Sequence, residues 1–215
     1  MNIEKTKQFI CNIGRRMYDN GFVAANDGNI TVKINDNAIL VTPTGVSKGF
    51  MTPEMITQVD LLGNIIEGKY KPSSELKMHL KVYQKRKDIN AVVHAHPPHA
   101  TSFAIANKSL DKAIMPEVVV SLGKVPVAPY GTPSTMEMPN SLEPFLSDYN
   151  AVLLQNHGVL TWDVNLRQAY FKMETVNFYA KILMLTENIE GVKELSNENI
   201  KKLRKVFNLD SRGRI

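Results

Sequence analysis

Residues 92–99 read Val92-Val93-His94-Ala95-His96-Pro97-Pro98-His99: an apolar run that ends in histidines and is then stopped by two prolines. The branched apolar lead-in predicts a buried β-strand over residues 90–95. His94 and His96 stand two residues apart, so on extended backbone both imidazoles project from the same side. Two such imidazoles make two corners of a transition-metal site. The chain holds five histidines in all: His79, His94, His96, His99 and His157. The last of these follows a second apolar run, Val152-Leu153-Leu154-Gln155-Asn156-His157-Gly158, again a strand that ends in a histidine. Three imidazoles on two strand ends, with a fourth position left for water or substrate, suit a catalytic zinc. The competing reading is of interior histidines bonded to backbone carbonyls. Matching lead-ins at both places favour the metal.

Upstream of this strand, Ile3, Phe9, Ile10, Ile13 and Met17 recur at helical spacing over residues 3–19. A turn-rich stretch, residues 24–29, feeds a strand that alternates at Ile30, Val32 and Ile34, and Ile39-Leu40-Val41 returns as its hairpin partner. Thr42-Pro43-Thr44-Gly45 follows as a tight loop, Thr52-Pro53-Glu54 reads as a capped helix start, and residues 57–60 and 65–67 form a second hairpin about Gly63-Asn64. Pro72-Ser73-Ser74-Glu75 opens a helix that runs to about Arg86, with serine capping and an acid in its first turn.

Downstream, residues 101–106 predict a short helix, and Val118-Val119-Val120 and Val125-Pro126-Val127 predict short strands. Residues 135–147 read as helix, 151–154 and 159–161 as strands, and 197–206 as a last helix followed by a loose basic tail. The longest helical pattern, Val164 to Thr186, is apolar around most of its circumference, which predicts packing on the core and on a neighbouring subunit. Strands and helices do not alternate as a parallel sheet requires. The expected fold is α/β of the α+β type: one domain over residues 1–215, with a mainly antiparallel central sheet flanked by helices.

Composition bounds the function. The 215 residues are 43% hydrophobic and 22% charged, an ordinary globular balance. No apolar run approaches the roughly 18 residues of a membrane span, and the first residues lack a signal-peptide core. One cysteine, Cys11, excludes an internal disulfide framework and suits a cytoplasmic protein. The net charge of +5 is spread over helix ends such as Lys85-Arg86-Lys87, without the aromatic interleaving of a nucleic-acid binder. Neither membrane nor nucleic acid is an expected partner.

Glu75 is the candidate acid/base, and Ser73 and Ser74 place hydroxyls and free amides in the same turn. A helix N-terminus so furnished suits a phosphate. Gly28-Asn29 and Thr44-Gly45 are two more small-residue loops able to offer amides and hydroxyls to an anion. Together with a metal site, the three loops point to a phosphorylated substrate.

Six stretches carry a resemblance: Gly28-Asn29-Ile30, Thr42-Pro43-Thr44-Gly45, Pro72-Ser73-Ser74-Glu75, Ala91-Val92-Val93-His94-Ala95-His96, Ala128-Pro129-Tyr130 and Leu153-Leu154-Gln155-Asn156-His157-Gly158. In their order and spacing the chain resembles the class II aldolase/adducin family, most closely its ketose-1-phosphate aldolases. The resemblance implies zinc on His94, His96 and His157, and Glu75 as catalytic acid/base. It implies substrate phosphate on Gly28, Asn29, Thr44, Gly45, Ser73 and Ser74, and a homotetramer with sites between subunits. The implied reaction cleaves a (deoxy-)ketose 1-phosphate, such as L-fuculose 1-phosphate, into dihydroxyacetone phosphate and an aldehyde.

Two features depart from the pattern. The tyrosine that family aldolases lend to a neighbouring site has no counterpart in Ile114-Met115-Pro116-Glu117, where Glu117 is the candidate substitute. A second tyrosine near the C-terminus is likewise missing from Val206-Phe207-Asn208-Leu209. A 5-deoxyribulose- or 5-methylthioribulose-1-phosphate aldolase is therefore an alternative. Behind it stand a ribulose-5-phosphate 4-epimerase, a dehydratase and an adducin-like binding domain. His79 reads as a core or interface histidine, His99 as turned away from the metal by the prolines, and Cys11, Trp162 and Met173 as core.

Overall fold

The computed structural model describes residues 2–187, 189 and 191–209. Helix α1 spans Ile3–Asp19; the Asn2 side chain caps it by accepting from Lys5 N at 3.0 Å, and Gly21 in the left-handed region ends it. Strands β1 (Asn29–Asn35) and β2 (Ala38–Val41) form the first hairpin, and β3 (Thr57–Val59) and β4 (Ile65–Glu67) the second. Helix α2 (Leu76–Lys85) precedes β5 (Ala91–Ala95), the histidine strand. Helices α3 (Pro98–Ile105) and α4 (Pro116–Ser121), strand β6 (Val127–Ala128) and helix α5 (Glu137–Leu142) follow. The chain closes with β7 (Ala151–Leu154), β8 (Gly158–Asp163), α6 (Leu166–Thr186) and α7 (Asn197–Val206).

The eight strands of the described residues join one sheet in the order β4-β3-β2-β1-β5-β8-β7-β6, antiparallel throughout except for the β6–β7 pair. The expected mainly antiparallel sheet with flanking helices is what the structure has. β5 lies between β1 and β8 and is buried along its whole length, which accounts for its unbroken apolar run.

Alternation along the strands divides the core in two. Val93, Ala91 and Ala95 of β5 join Ile30 and Val32 of β1 beneath α1, α3 and α6. Val92 joins Ile39, Val41, Leu160 and Trp162 beneath α2 and α5. The pleat period of two puts His94 and Asn29 on this second face, the one α2 covers. Every functional side chain on these strands is therefore turned towards the start of α2.

Some elements differ from expectation. Val118-Val119-Val120 lies in α4, not in a strand. Pro116 presets the first helical turn, and Val118 and Val119 bury one side of that turn against the main core and the α7 contact at Ile200. Tertiary packing overrides the β-propensity of three valines. Of Val125-Pro126-Val127 only Val127 enters the sheet, while Val125 makes a lone bridge to Leu110. Thr52-Pro53-Glu54 starts a single 3-10 turn, Pro53–Met55, and Thr52 makes no capping bond. The helix expected over 135–147 is shorter: α5 gives way to a 3-10 turn at Glu143–Phe145, where Pro144 has no amide hydrogen to continue the ladder. The short helix after the histidine strand begins earlier than expected, at Pro98. The basic tail from residue 210 lies outside the described residues. Among the described residues, no helix is long and apolar enough to cross a membrane.

Candidate active site

Two strand ends meet at the site. β5 ends at Ala95 and carries His94 inside the sheet and His96 just past it, while the tight turn between β7 and β8 carries His157. That turn puts Asn156 in the left-handed region at φ 56° and brings Gly158 against β5. A Cβ on Gly158 would stand 2.5 Å from both the Ala95 carbonyl oxygen and His96 Cδ2, so the close approach of the two strand ends requires a glycine there.

The three imidazoles converge. Ring centroids are 4.7 Å apart for His94–His157 and 4.9 Å for His94–His96 and His96–His157. One nitrogen from each ring lies within 4.8 Å of the others, spacing that fits a single ion. The outward nitrogens are partly held. His94 Nδ1 donates to the Val159 carbonyl at 2.9 Å, which leaves its Nε2 as the lone-pair nitrogen facing the cluster. His96 Nδ1 points at the Asp27 carboxylate, 3.5 Å away. Burial holds His94 well below the ordinary imidazole range, with Glu75 only partly offsetting it, so the ring is a neutral donor. His96 is lowered by burial as well. Three imidazoles aimed at a common point fit a borderline divalent metal such as zinc.

Glu75 completes the cluster. Its Oε1 lies 3.2 Å from His157 Nε2, and its Oε2 lies 3.4 Å from His94 Nε2 and accepts from Asn29 Nδ2 at 2.8 Å. Burial alone would raise this carboxyl. The facing imidazoles and the Asn29 amide outweigh burial and hold it far below the usual carboxylate range. Glu75 does not sit in the first helical turn, as expected; it is the residue before α2 and makes no capping bond. Stabilising the helix dipole is therefore not its role, because its oxygens are committed to Asn29 and the histidines. Asn29 is not a loop residue either. It is the first residue of β1 and pairs in register with His94, so strand pairing sets the amide beside the carboxylate.

A buried polar layer lies behind Glu75. One turn along α2, His79 Nδ1 meets Thr31 Oγ1 at 2.8 Å, and Thr31 Oγ1 meets Tyr83 OH at 2.9 Å. His79, read from sequence as a core or interface histidine, is fully buried within the subunit, and burial pushes it down to about 3.

Gly28, Asn29, Thr44, Gly45, Ser73 and Ser74 all line one cleft of about 210 Å³, together with Glu75, His96 and His157. Backbone bonds hold the loops in place: Thr44 N donates to Lys71 O at 3.0 Å and Ser73 N to Thr42 O at 3.1 Å. Gly28 and Gly45 both adopt φ of 73°, and a Cβ on Gly28 would meet the His94 carbonyl at 2.9 Å. Glu117 is not brought into this cleft. It lies on α4 beside a separate cavity of about 640 Å³ lined also by His99, Phe178 and Lys181. His99 lies on α3, away from the other imidazoles, as the prolines predict.

Sequence reasoning missed five cleft residues, Asn26, Asp27, Pro43, Pro133 and Ser134. The first two stood in plain view in the turn-rich stretch before β1 and were read only as turn formers. Ser134, at φ 66°, carried no signal, because only the tertiary fold brings its loop across to the start of α2.

Residues 8–184 match the family described as the Class II Aldolase and Adducin N-terminal domain. An L-fuculose phosphate aldolase of Methanococcus maripaludis strain S2 is 37% identical over 178 residues, covering 83% of this chain and 96% of that protein. A 5-deoxy-D-ribulose 1-phosphate aldolase of Bacillus thuringiensis is 33% identical, covering 96% and 97%. A 3-oxo-tetronate 4-phosphate decarboxylase of Pectobacterium atrosepticum is 30% identical, covering 93% of each. Among solved structures, an L-fuculose 1-phosphate aldolase superposes with a TM-score of 0.86 at 32% identity, over 94% of this chain and 96% of that one. The chain belongs to the class II aldolase and adducin family, among its aldolase-type enzymes.

Proposed function

We propose that the protein is a zinc-dependent aldolase that cleaves a ketose 1-phosphate of the fuculose or 5-deoxyribulose type into dihydroxyacetone phosphate and an aldehyde. The observation that carries this reading is the Glu75 carboxylate, set between three converging imidazoles at the edge of a small cleft rich in hydroxyls and amides. His94, His96 and His157 would hold the metal. When bound, it supplies Lewis-acid stabilisation of the negative charge that builds on the substrate oxygens. Gly28, Asn29, Thr44, Gly45, Ser73 and Ser74 would bind the phosphate and so fix the reacting carbons beside Glu75. Glu75 would give the proton to the carbon left electron-rich when the carbon–carbon bond breaks, and take it back in the condensation direction.

The proposal extends to a cytoplasmic homotetramer acting as one domain per subunit. The far side of α6 leaves Phe171, Phe178 and Leu185 exposed, an apolar face suited to a subunit contact. Glu117 lies outside its own cleft, and in an assembly it would act on a neighbour's leaving oxygen.

The test is chelation and metal add-back with a panel of ketose 1-phosphates, reading dihydroxyacetone phosphate through a coupled reductase. Metal-dependent release with one preferred sugar is the expected result; no release from any of them removes the aldolase reading. The similarity to a decarboxylase favours one second reading, in which the same proton goes to a carbon left behind by departing carbon dioxide. Carbon dioxide release from a 3-oxo acid phosphate, without aldol cleavage, would select it.

A further inference from the structure

Lys48 is among the largest fully buried side chains of the molecule, with 1% of its surface exposed. A lysine in that position needs a reason, because an aliphatic side chain would fill the same space without stripping water from an ammonium. Its surroundings supply one. Lys48 Nζ donates to the Val46 carbonyl at 2.6 Å and to the Asn26 carbonyl at 3.2 Å. Val46 directly follows Thr44-Gly45, and Asn26 directly precedes Asp27-Gly28-Asn29. The ammonium thus bridges two of the three loops of the cleft. Nearer the sheet, Thr42 N donates to Ile30 O and Ile30 N to Thr42 Oγ1, both at 3.1 Å, and Lys48 makes its link further out, at the Asn26 and Val46 carbonyls.

The bridge has a firm base. Lys48 opens a 3-10 turn, Lys48–Phe50, seated on α1, where Gly14 allows such close approach that a Cβ there would stand 2.9 Å from the Lys48 carbonyl oxygen. A Cβ on Gly49 would stand 2.6 Å from the Tyr18 ring. Burial pushes the ammonium down to about 8, against the opposing pull of Asp27 and Glu75, so it remains mainly charged at neutral pH. A cation held in this low-dielectric interior, bonded to two loops that would face a dianion, acts on the anion in two ways: it fixes the width of the cradle and adds an unscreened attraction.

We infer that Lys48 is a positioning residue that ties the Asn26 and Val46 loops into one phosphate cradle without itself touching the substrate. This rests on the phosphate cleft of the proposed function. The test is calorimetric titration of dihydroxyacetone phosphate and of inorganic phosphate into wild-type protein, Lys48→Met and Lys48→Gln, with cobalt binding at the histidines followed in parallel by absorbance. Lys48→Met should bind both phosphates at least tenfold more weakly, keep wild-type cobalt affinity, and raise KM for the sugar phosphate far more than it lowers kcat. Lys48→Gln, which keeps a donor but no charge, should fall between the two. In a Cys11→Ala background, aminoethylation of Lys48→Cys should restore phosphate affinity. Phosphate affinity within twofold of wild type in Lys48→Met overturns the inference; should that variant not fold, the same threshold applied to Lys48→Gln decides it. Wild-type protein that binds neither phosphate removes the phosphate reading itself, whatever the variants do.

Discussion

Glu75 shows how much one residue's role depends on its partners. A carboxylate next to a helix start is ordinarily worth under about 1 kcal/mol of dipole stabilisation. Here both oxygens are engaged by Asn29, His94 and His157. Glu75→Gln should keep metal binding and lose about 10²–10⁴ in turnover, as removal of a general acid/base does. Wild-type turnover in that variant would take Glu75 out of the chemistry. His79 carries a stability prediction. Its folded-state value of about 3 lies below the ordinary 6.5, so between these limits the unfolded chain binds a proton that the native chain does not. Stability should therefore fall as pH drops from about 6.5, by up to about 1.4 kcal/mol per pH unit from this group. Urea midpoints measured from pH 7 to 4 should fall less steeply in His79→Gln than in wild type, and parallel curves would assign the acid sensitivity elsewhere.

At the scale of elements, the site depends on strand ends that approach more closely than side chains normally permit. Gly158→Ala places a methyl group 2.5 Å from the Ala95 carbonyl oxygen and against the His96 ring. It should destabilise the fold by about 1–3 kcal/mol, as overpacking does, and weaken metal binding in the same variant. Thermal unfolding and metal titration check both, and unchanged metal affinity would mean that the β7–β8 turn does not set the position of His157. The elements read well from sequence were those whose pattern is local. α1 has helical apolar spacing and an asparagine cap, and β5 has an unbroken apolar run. The α4 valines misled because their preference for a strand had no neighbouring strand to pair with. Glu75 was expected inside the first turn and stands just before it, because Pro72-Ser73-Ser74 resembles a capping sequence, yet the Ser73 backbone ties to Thr42 and holds this stretch as a loop.

For the whole molecule, the metal would act as a staple between β5 and the β7–β8 turn. Because it would bind the folded chain, added zinc at a hundred times its Kd should raise stability by about 2.7 kcal/mol, and chelation should reverse the gain. Differential scanning calorimetry of His157→Ala should show no zinc response, and a retained response would place the ion on other ligands. The exposed face of α6 carries the assembly prediction. Phe178→Asp, at a half-exposed position, should convert the proposed tetramer to smaller species in light scattering, and an unchanged mass would put the subunit contact elsewhere.

The sequence by itself determined the metal-binding histidine set as a candidate, the strand character around it, the three small-residue loops and the family. Each is written in short-range spacing: imidazoles two positions apart on a strand, a glycine beside an amide donor, a carboxylate after two serines. Only the tertiary structure decided that these segments share one cleft, that Asn29 clasps Glu75 through its pairing with His94, that Glu117 stands apart, and that a lysine is buried between two loops. Those facts arise from strand register and from segments distant in the chain packing on one face of a sheet. Periodicity specifies which face a residue takes, but not which partner it meets there.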